Sequence, residues 1–164
     1  MKTFICTVLA SFAFIFSGVA KDYKLPADKP TVAIDIPDSW APAAIERGYQ
    51  TQTADQDVYL SIEMTANEKE MQAVIDETDT MLKSHKVVLD KPNRKDNKFK
   101  LNGLPAEEIL YNGHDEDGPT MVSITFVTVR KSALVLTYWA SVNGNKKHQA
   151  ELGKILNSIR LLGS

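Results

Sequence analysis

The sequence has a single cysteine, Cys6, in 164 residues. Beyond that position no thiol exists, which excludes a disulfide framework, a thiolate-held zinc and a cysteine nucleophile from the rest of the chain. Glycine is sparse and scattered: the eight glycines never gather into a Gly-x-Gly-x-x-Gly or Walker-type loop whose N–H groups would converge on phosphate. No Gly-x-Ser-x-Gly turn presents a serine between strand and helix. An excess of one charge is missing as well. With 19 basic and 21 acidic side chains the net charge is −2, so electrostatics give no case for nucleic-acid binding.

A long hydrophobic run is also lacking. The longest uncharged apolar stretch, residues 3–16, falls short of the ~20 residues that cross a ~30 Å hydrocarbon core. Preceded by Lys2 and followed by the small residues Gly18 and Ala20, it reads as a secretory signal peptide over residues 1–20, cut after Ala20. Cys6 lies inside that segment and Lys21 follows the expected cut, so a lipoprotein anchor is not expected. The expected destination is a periplasm or the exterior, with no transmembrane segment after cleavage. Residues 21–164 keep 18 basic against 21 acidic side chains, a net charge of −3 with histidine neutral. A chain of that length buries about two thirds of its extended surface as one domain without covalent staples.

What is present is a two-period pattern interrupted by two helical ones. Residues 21–30, with Pro26 and Pro30, read as an exposed lead-in. Val32, Ile34 and Ile36 alternate with Ala33 and Asp35 as a strand, and Trp40 is the expected anchor of the turn that follows. Residues 41–47 fit one helical turn ending at Gly48. Residues 49–53 and 58–64 fit a hairpin, with Val58, Leu60, Ile62 and Met64 on one face. Asn67 and Glu70 form a capping box, after which Met71, Val74, Ile75, Thr78, Met81 and Leu82 mark an amphipathic helix ending near His85. A short strand is expected at 87–89, an exposed loop at 90–100, extended structure at 106–111 and another loop at 112–119. Residues 121–129 and 133–140 read as an antiparallel hairpin. A final helix carries Leu152, Ile155, Leu156, Ile159 and Leu162, with Asn143, Gly144 and Asn145 before it and Gly163 as its stop. Each helix has one apolar stripe, so each must cover a sheet face: the fold class is α+β, one domain over residues 21–164, with a central antiparallel β-sheet covered by helices.

Three stretches resemble the PsbP-like superfamily of α-β-α sandwiches, including its bacterial exported DcrB-like relatives. They are the strand 32–36 running into Pro37, Asp38, Ser39 and Trp40; the strand Asp57, Val58, Tyr59, Leu60, Ser61 and Ile62; and Leu136, Thr137, Tyr138, Trp139 and Ala140 before a helix bearing Ile155, Leu156, Asn157, Ser158 and Ile159. The resemblance spans nearly the whole domain. It implies an accessory or binding protein rather than an enzyme, with no catalytic motif to carry over and no cofactor.

Candidate chemistry lies in the loops. His114, Asp115, Glu116 and Asp117 beside Gly113 and Gly118 bring together metal-ligand types, with His114, Asp115 and Asp117 as the candidate ligands, although the spacing fails the calcium-loop pattern. A solvated hairpin tip is the competing reading. Lys91, Arg94, Lys95, Lys98 and Lys100 make a basic segment, of which Lys91, Arg94, Lys95 and Lys98 are the candidate partner contacts; solubilising lysines are the alternative. Phe99 within it is expected to point into the core. Glu107 and Glu108 are neighbours on a strand and face opposite ways, which disfavours an acid–base pair. His85 is expected to cap a helix C-terminus and His148 to lie exposed; of Tyr138 and Trp139 one is core and the other packs beneath a helix, and either is a candidate pocket lining. The expected function is an exported, non-enzymatic accessory or binding protein acting on a protein or envelope-surface partner; the alternative is a small metal-binding protein or metal-dependent hydrolase centred on His114.

Overall fold

The computed structural model describes residues 20–163. The expected signal segment therefore lies, up to residue 19, outside the described residues.

Chain order is β1 (Ala20–Leu25), β2 (Val32–Pro37), β3 (Ala43–Ile45), β4 (Gly48–Gln52), β5 (Val58–Thr65), α1 (Glu68–Ser84), β6 (Val88–Leu89), β7 (Lys95–Leu101), β8 (Leu104–Asp115), β9 (Gly118–Val129), β10 (Ser132–Ser141), α2 (Val142–Asn157) and β11 (Arg160–Leu161). The larger sheet has the order β3-β4-β5-β10-β9-β8-β6, with β7 also paired to β8, and every pairing is antiparallel. A smaller sheet, β1-β2-β11, stands apart from it.

Alternation along the strands sorts side chains into two cores. On one face Leu60, Ile62, Leu134 and Leu136 pack with Ile34 and Ile36 of β2, with Trp40, and with Ile155 and Ile159 at the end of the chain. The small sheet and α2 together therefore form one outer layer. On the other face Val74 of α1 meets Ile124 and Val135, and Leu82 meets Val122. The result is an α-β-α sandwich, as the one-sided helical stripes require. β5 is covered on both sides, so the positions that look polar in sequence, Ser61 and Glu63, are buried beneath α1.

Both helix starts are capped from the sequence positions that favour it. Asn67 Oδ1 accepts the Glu70 N–H at 3.0 Å, while the Glu70 carboxylate reaches back to the Ala66 N–H at 2.8 Å. Ser141 Oγ accepts the Gly144 N–H at 2.9 Å, so Asn143, Gly144 and Asn145 belong to α2 rather than preceding it.

Several expectations change. Residues 21–30 are no simple lead-in: β1 pairs along all of β2, and Leu25 is 1% exposed. The helical turn expected at 41–47 is the short strand β3, held by β4. The loop expected at 90–100 is a 3-10 turn, Lys91–Asn93, followed by β7. The loop expected at 112–119 is mostly strand, because β8 and β9 continue to Asp115 and Gly118 and leave a two-residue tip. The last helix ends at Asn157, short of Ile159 and Leu162, and β11 then returns to β2.

Candidate binding site

The basic segment lies on an edge. β7 pairs with β8 along one side, from Lys95 opposite Leu110 to Leu101 opposite Leu104, and no pairing occupies its other side among the described residues. Six of its seven residues are exposed. Arg94 forms a bidentate pair with Asp96, at 2.6 Å from Nε and 2.9 Å from Nη2. Lys98 Nζ lies 2.7 Å from Glu107 Oε1, which raises the Lys98 ammonium above its ordinary value through that hydrogen bond. Lys91, Lys95 and Lys100 have no ion-pair partner among the described residues. Thus two of the four candidate contacts, Arg94 and Lys98, are engaged within the molecule and two, Lys91 and Lys95, are available.

Phe99 does not enter the core. It is 42% exposed, because α2 crosses β10, β9 and β5 and stops short of β7. The gap between helix and edge is a pocket of about 210 Å³, with Phe99 and Leu101 on one side, Leu152 and Leu156 on the other, and Leu60 and Leu136 behind. Tyr138 also lines it; its hydroxyl donates to Asn145 Oδ1 at 2.8 Å, and burial pushes the phenol up to about 12.

His114, Asp115 and Asp117 are not brought together. His114 is exposed on β8, Asp115 follows it on the opposite face, and Asp115 Oδ1 is already occupied by the N–H groups of Asp117 at 3.0 Å and Gly118 at 3.1 Å. No group of three metal-ligating side chains converges among the described residues. Glu107 and Glu108 do face opposite ways: Glu107 takes Lys98, and Glu108 Oε2 accepts from Asn97 Nδ2 at 2.9 Å.

This arrangement of sheets and helices superposes on the solution structure of cyanobacterial PsbP (CyanoP) from Synechocystis sp. PCC 6803. The match has a TM-score of 0.56 at 10% identity and covers 94% of this chain and 99% of that one. The fold is PsbP-like. LpqN, involved in cell envelope biogenesis of Mycobacterium tuberculosis, superposes with a TM-score of 0.52 at 12% identity over 88% of this chain and 92% of its own. No family model matches the chain, and no curated protein matches it in sequence.

Within this PsbP-like frame two charged clusters escape a reading of the sequence. His148 is not exposed: its side chain retains 15% of its surface, Nε2 lies 3.0 Å from Asp55, Nδ1 lies 3.6 Å from Glu151, and the ring meets Trp40 edge-on at 6.1 Å. Hydrogen bonds from Lys147, Thr53 and His148 hold the Asp55 carboxyl well below the usual carboxylate range. The hairpin β4–β5 is thereby tied to the first turns of α2. Trp40 anchors the same corner, as expected, donating from Nε1 to Glu151 at 3.0 Å. Beneath α1, Arg47 bridges Glu63, at 3.1 Å from Nε, and Glu77. Burial raises the Glu63 carboxyl above its ordinary value, with Arg47 opposing. A glutamate on a strand position that a helix must cover was the available signal for this pair. His85 behaves as expected: Nδ1 lies 2.9 Å from the Met81 carbonyl at the end of α1, and its ring packs edge-on against Trp139 at 5.0 Å.

Proposed function

We propose that the protein is exported and acts as a non-enzymatic accessory protein, docking an acidic partner protein of the envelope along β7. The observation that carries this reading is the coincidence, on β7 and the turn just before it, of a main-chain edge unpaired among the described residues with the available cations Lys91, Lys95 and Lys100 and the exposed ring of Phe99. An extended acidic segment added to such an edge gains main-chain hydrogen bonds, and the lysines set its charge preference. The PsbP-like fold supports an accessory role, since LpqN, which shares it, takes part in cell envelope biogenesis. The apolar segment before Lys21 supports export.

Mild crosslinking in envelope extracts is expected to capture a saturable partner. Charge reversal of Lys91 and Lys95 is expected to weaken capture at least tenfold and to flatten its salt dependence, whereas reversal of the internally paired Arg94 and Lys98 has a smaller effect. Unchanged capture by the Lys91 and Lys95 variant overturns the reading.

A further inference from the structure

The pocket between α2 and the β7–β8 edge has apolar walls but a polar floor. Ser123 and Thr125, two residues apart on β9, share the pocket-facing side of the sheet, and each is 7% exposed. Neither hydroxyl has a hydrogen-bond partner among the described residues. Both hydroxyls open into the cavity and take no protein partner, so their bonding is completed by whatever occupies it, water or the polar end of a ligand. Register places Glu108 of β8 directly opposite Thr125, and Leu110 opposite Ser123. Glu108 also lines the cavity, and among the described lining residues it is the one charged group. Asn97 occupies its Oε2, and Oε1 has no protein partner among the described residues. Lys95 shares this face of the sheet but stands outside the lining, opposite Leu110.

We propose that this pocket binds a small primary amine with an apolar body. A protonated amine offers three N–H donors, and the floor offers three unfilled acceptors: the Glu108 carboxylate, Ser123 Oγ and Thr125 Oγ1. The apolar part lies between Leu60, Leu136, Phe99 and Leu156. Size sets the class. A cavity of roughly 150 Å³ is known to take up benzene, so the about 210 Å³ here accommodates one ring with a short alkyl arm. An anionic ligand of the same shape would bring like charge against Glu108, and a neutral one would leave that carboxylate facing apolar surface without a counter-charge. The site borders the docking edge and shares Phe99 with it, but the test uses small molecules alone and does not depend on the partner.

The test is calorimetric titration of the purified protein with 2-phenylethylamine, 2-phenylethanol and 3-phenylpropionate, with amide and methyl shifts recorded by NMR. The amine is expected to bind saturably and at least tenfold more tightly than the alcohol or the acid, with shifts concentrated on Leu60, Leu136, Tyr138 and Leu156. Glu108→Gln, which keeps side-chain shape, is expected to reduce the preference for amine over alcohol to within threefold. Ser123→Ala, an independent variant of small volume change, is expected to weaken the amine at least threefold. Absence of saturable binding, equal affinity for the acid, shifts confined to another surface, or amine affinity unchanged in both variants overturns the proposal.

Discussion

Replacing Arg47 by methionine keeps the aliphatic stem and removes the charge that serves Glu63 and Glu77. The Arg47 and Glu63 side chains are 15% and 8% exposed, so water cannot substitute for the lost guanidinium. Breaking a buried pair by deleting one partner costs about 3–5 kcal/mol. The lower end applies here, about 3 kcal/mol, because Glu63 can relieve part of the penalty by taking up a proton. That escape gives the variant a characteristic pH dependence. A carboxyl whose folded pKa stands above its unfolded value contributes stability that is complete below the unfolded pKa and is lost as pH rises through the folded one. Glu63 is raised already, with burial as the leading cause and Arg47 opposing it. Without Arg47 the folded value climbs further, and stability falls over a wider interval at up to ~1.4 kcal/mol per pH unit. Urea unfolding at several pH values from 5 to 8, with the m-value held constant, reads this directly. Arg47→Met combined with Glu63→Leu should recover most of the loss, since an apolar pair avoids desolvating either charge. A loss below about 1 kcal/mol at neutral pH, with the same pH slope as the parent, would refute the reasoning.

Three further outcomes follow from the geometry. A Cβ at Gly48 would sit 2.0 Å from the Ile62 carbonyl oxygen and 3.0 Å from Leu25, so Gly48→Ala should cost about 3 kcal/mol in thermal or urea unfolding. Tyr138→Phe should remove from an alkaline absorbance titration the phenol that burial pushes up to about 12 and leave the rest of the curve unchanged. The Asp55 carboxyl is depressed by Lys147, Thr53 and His148, so its contribution is full above the ordinary carboxyl value and is lost as pH falls from there toward the depressed folded value; Asp55→Asn should therefore unfold with a flatter acid limb, and an identical limb would count against the latch between α2 and the β4–β5 hairpin.

Regular periodicity made the layers legible. The stripes on α1 and α2, the alternation of β5, β9 and β10, and the caps at Asn67 and Trp40's corner all followed from residue spacing. Strands without an apolar face did not. β7 buries nothing fully, so its lysines and asparagines mimic a loop; the overlooked signal was Asn102-Gly103, where φ values of 51° and 85° close a two-residue hairpin between Leu101 and Leu104. β1 was hidden for a similar reason, since Tyr23 and Leu25 are flanked by charges and only pairing with β2 draws Leu25 inward. The pocket depends on how far a helix reaches across a sheet, and the His148 and Arg47 clusters join residues 93 and 16 positions apart. Neither property is written in a local pattern.

β2 takes one neighbour from just before it and the other from the far end of the molecule, where Arg160 and Leu161 pair with Ala33 and Val32. An early segment therefore has to wait for a late one. While residues 159–161 are still missing, the second flank of β2 stays open and the seat of Ile159 among the core side chains stays empty. A chain assembled from its amino end thus cannot close this interior until residues 159–161 have been made.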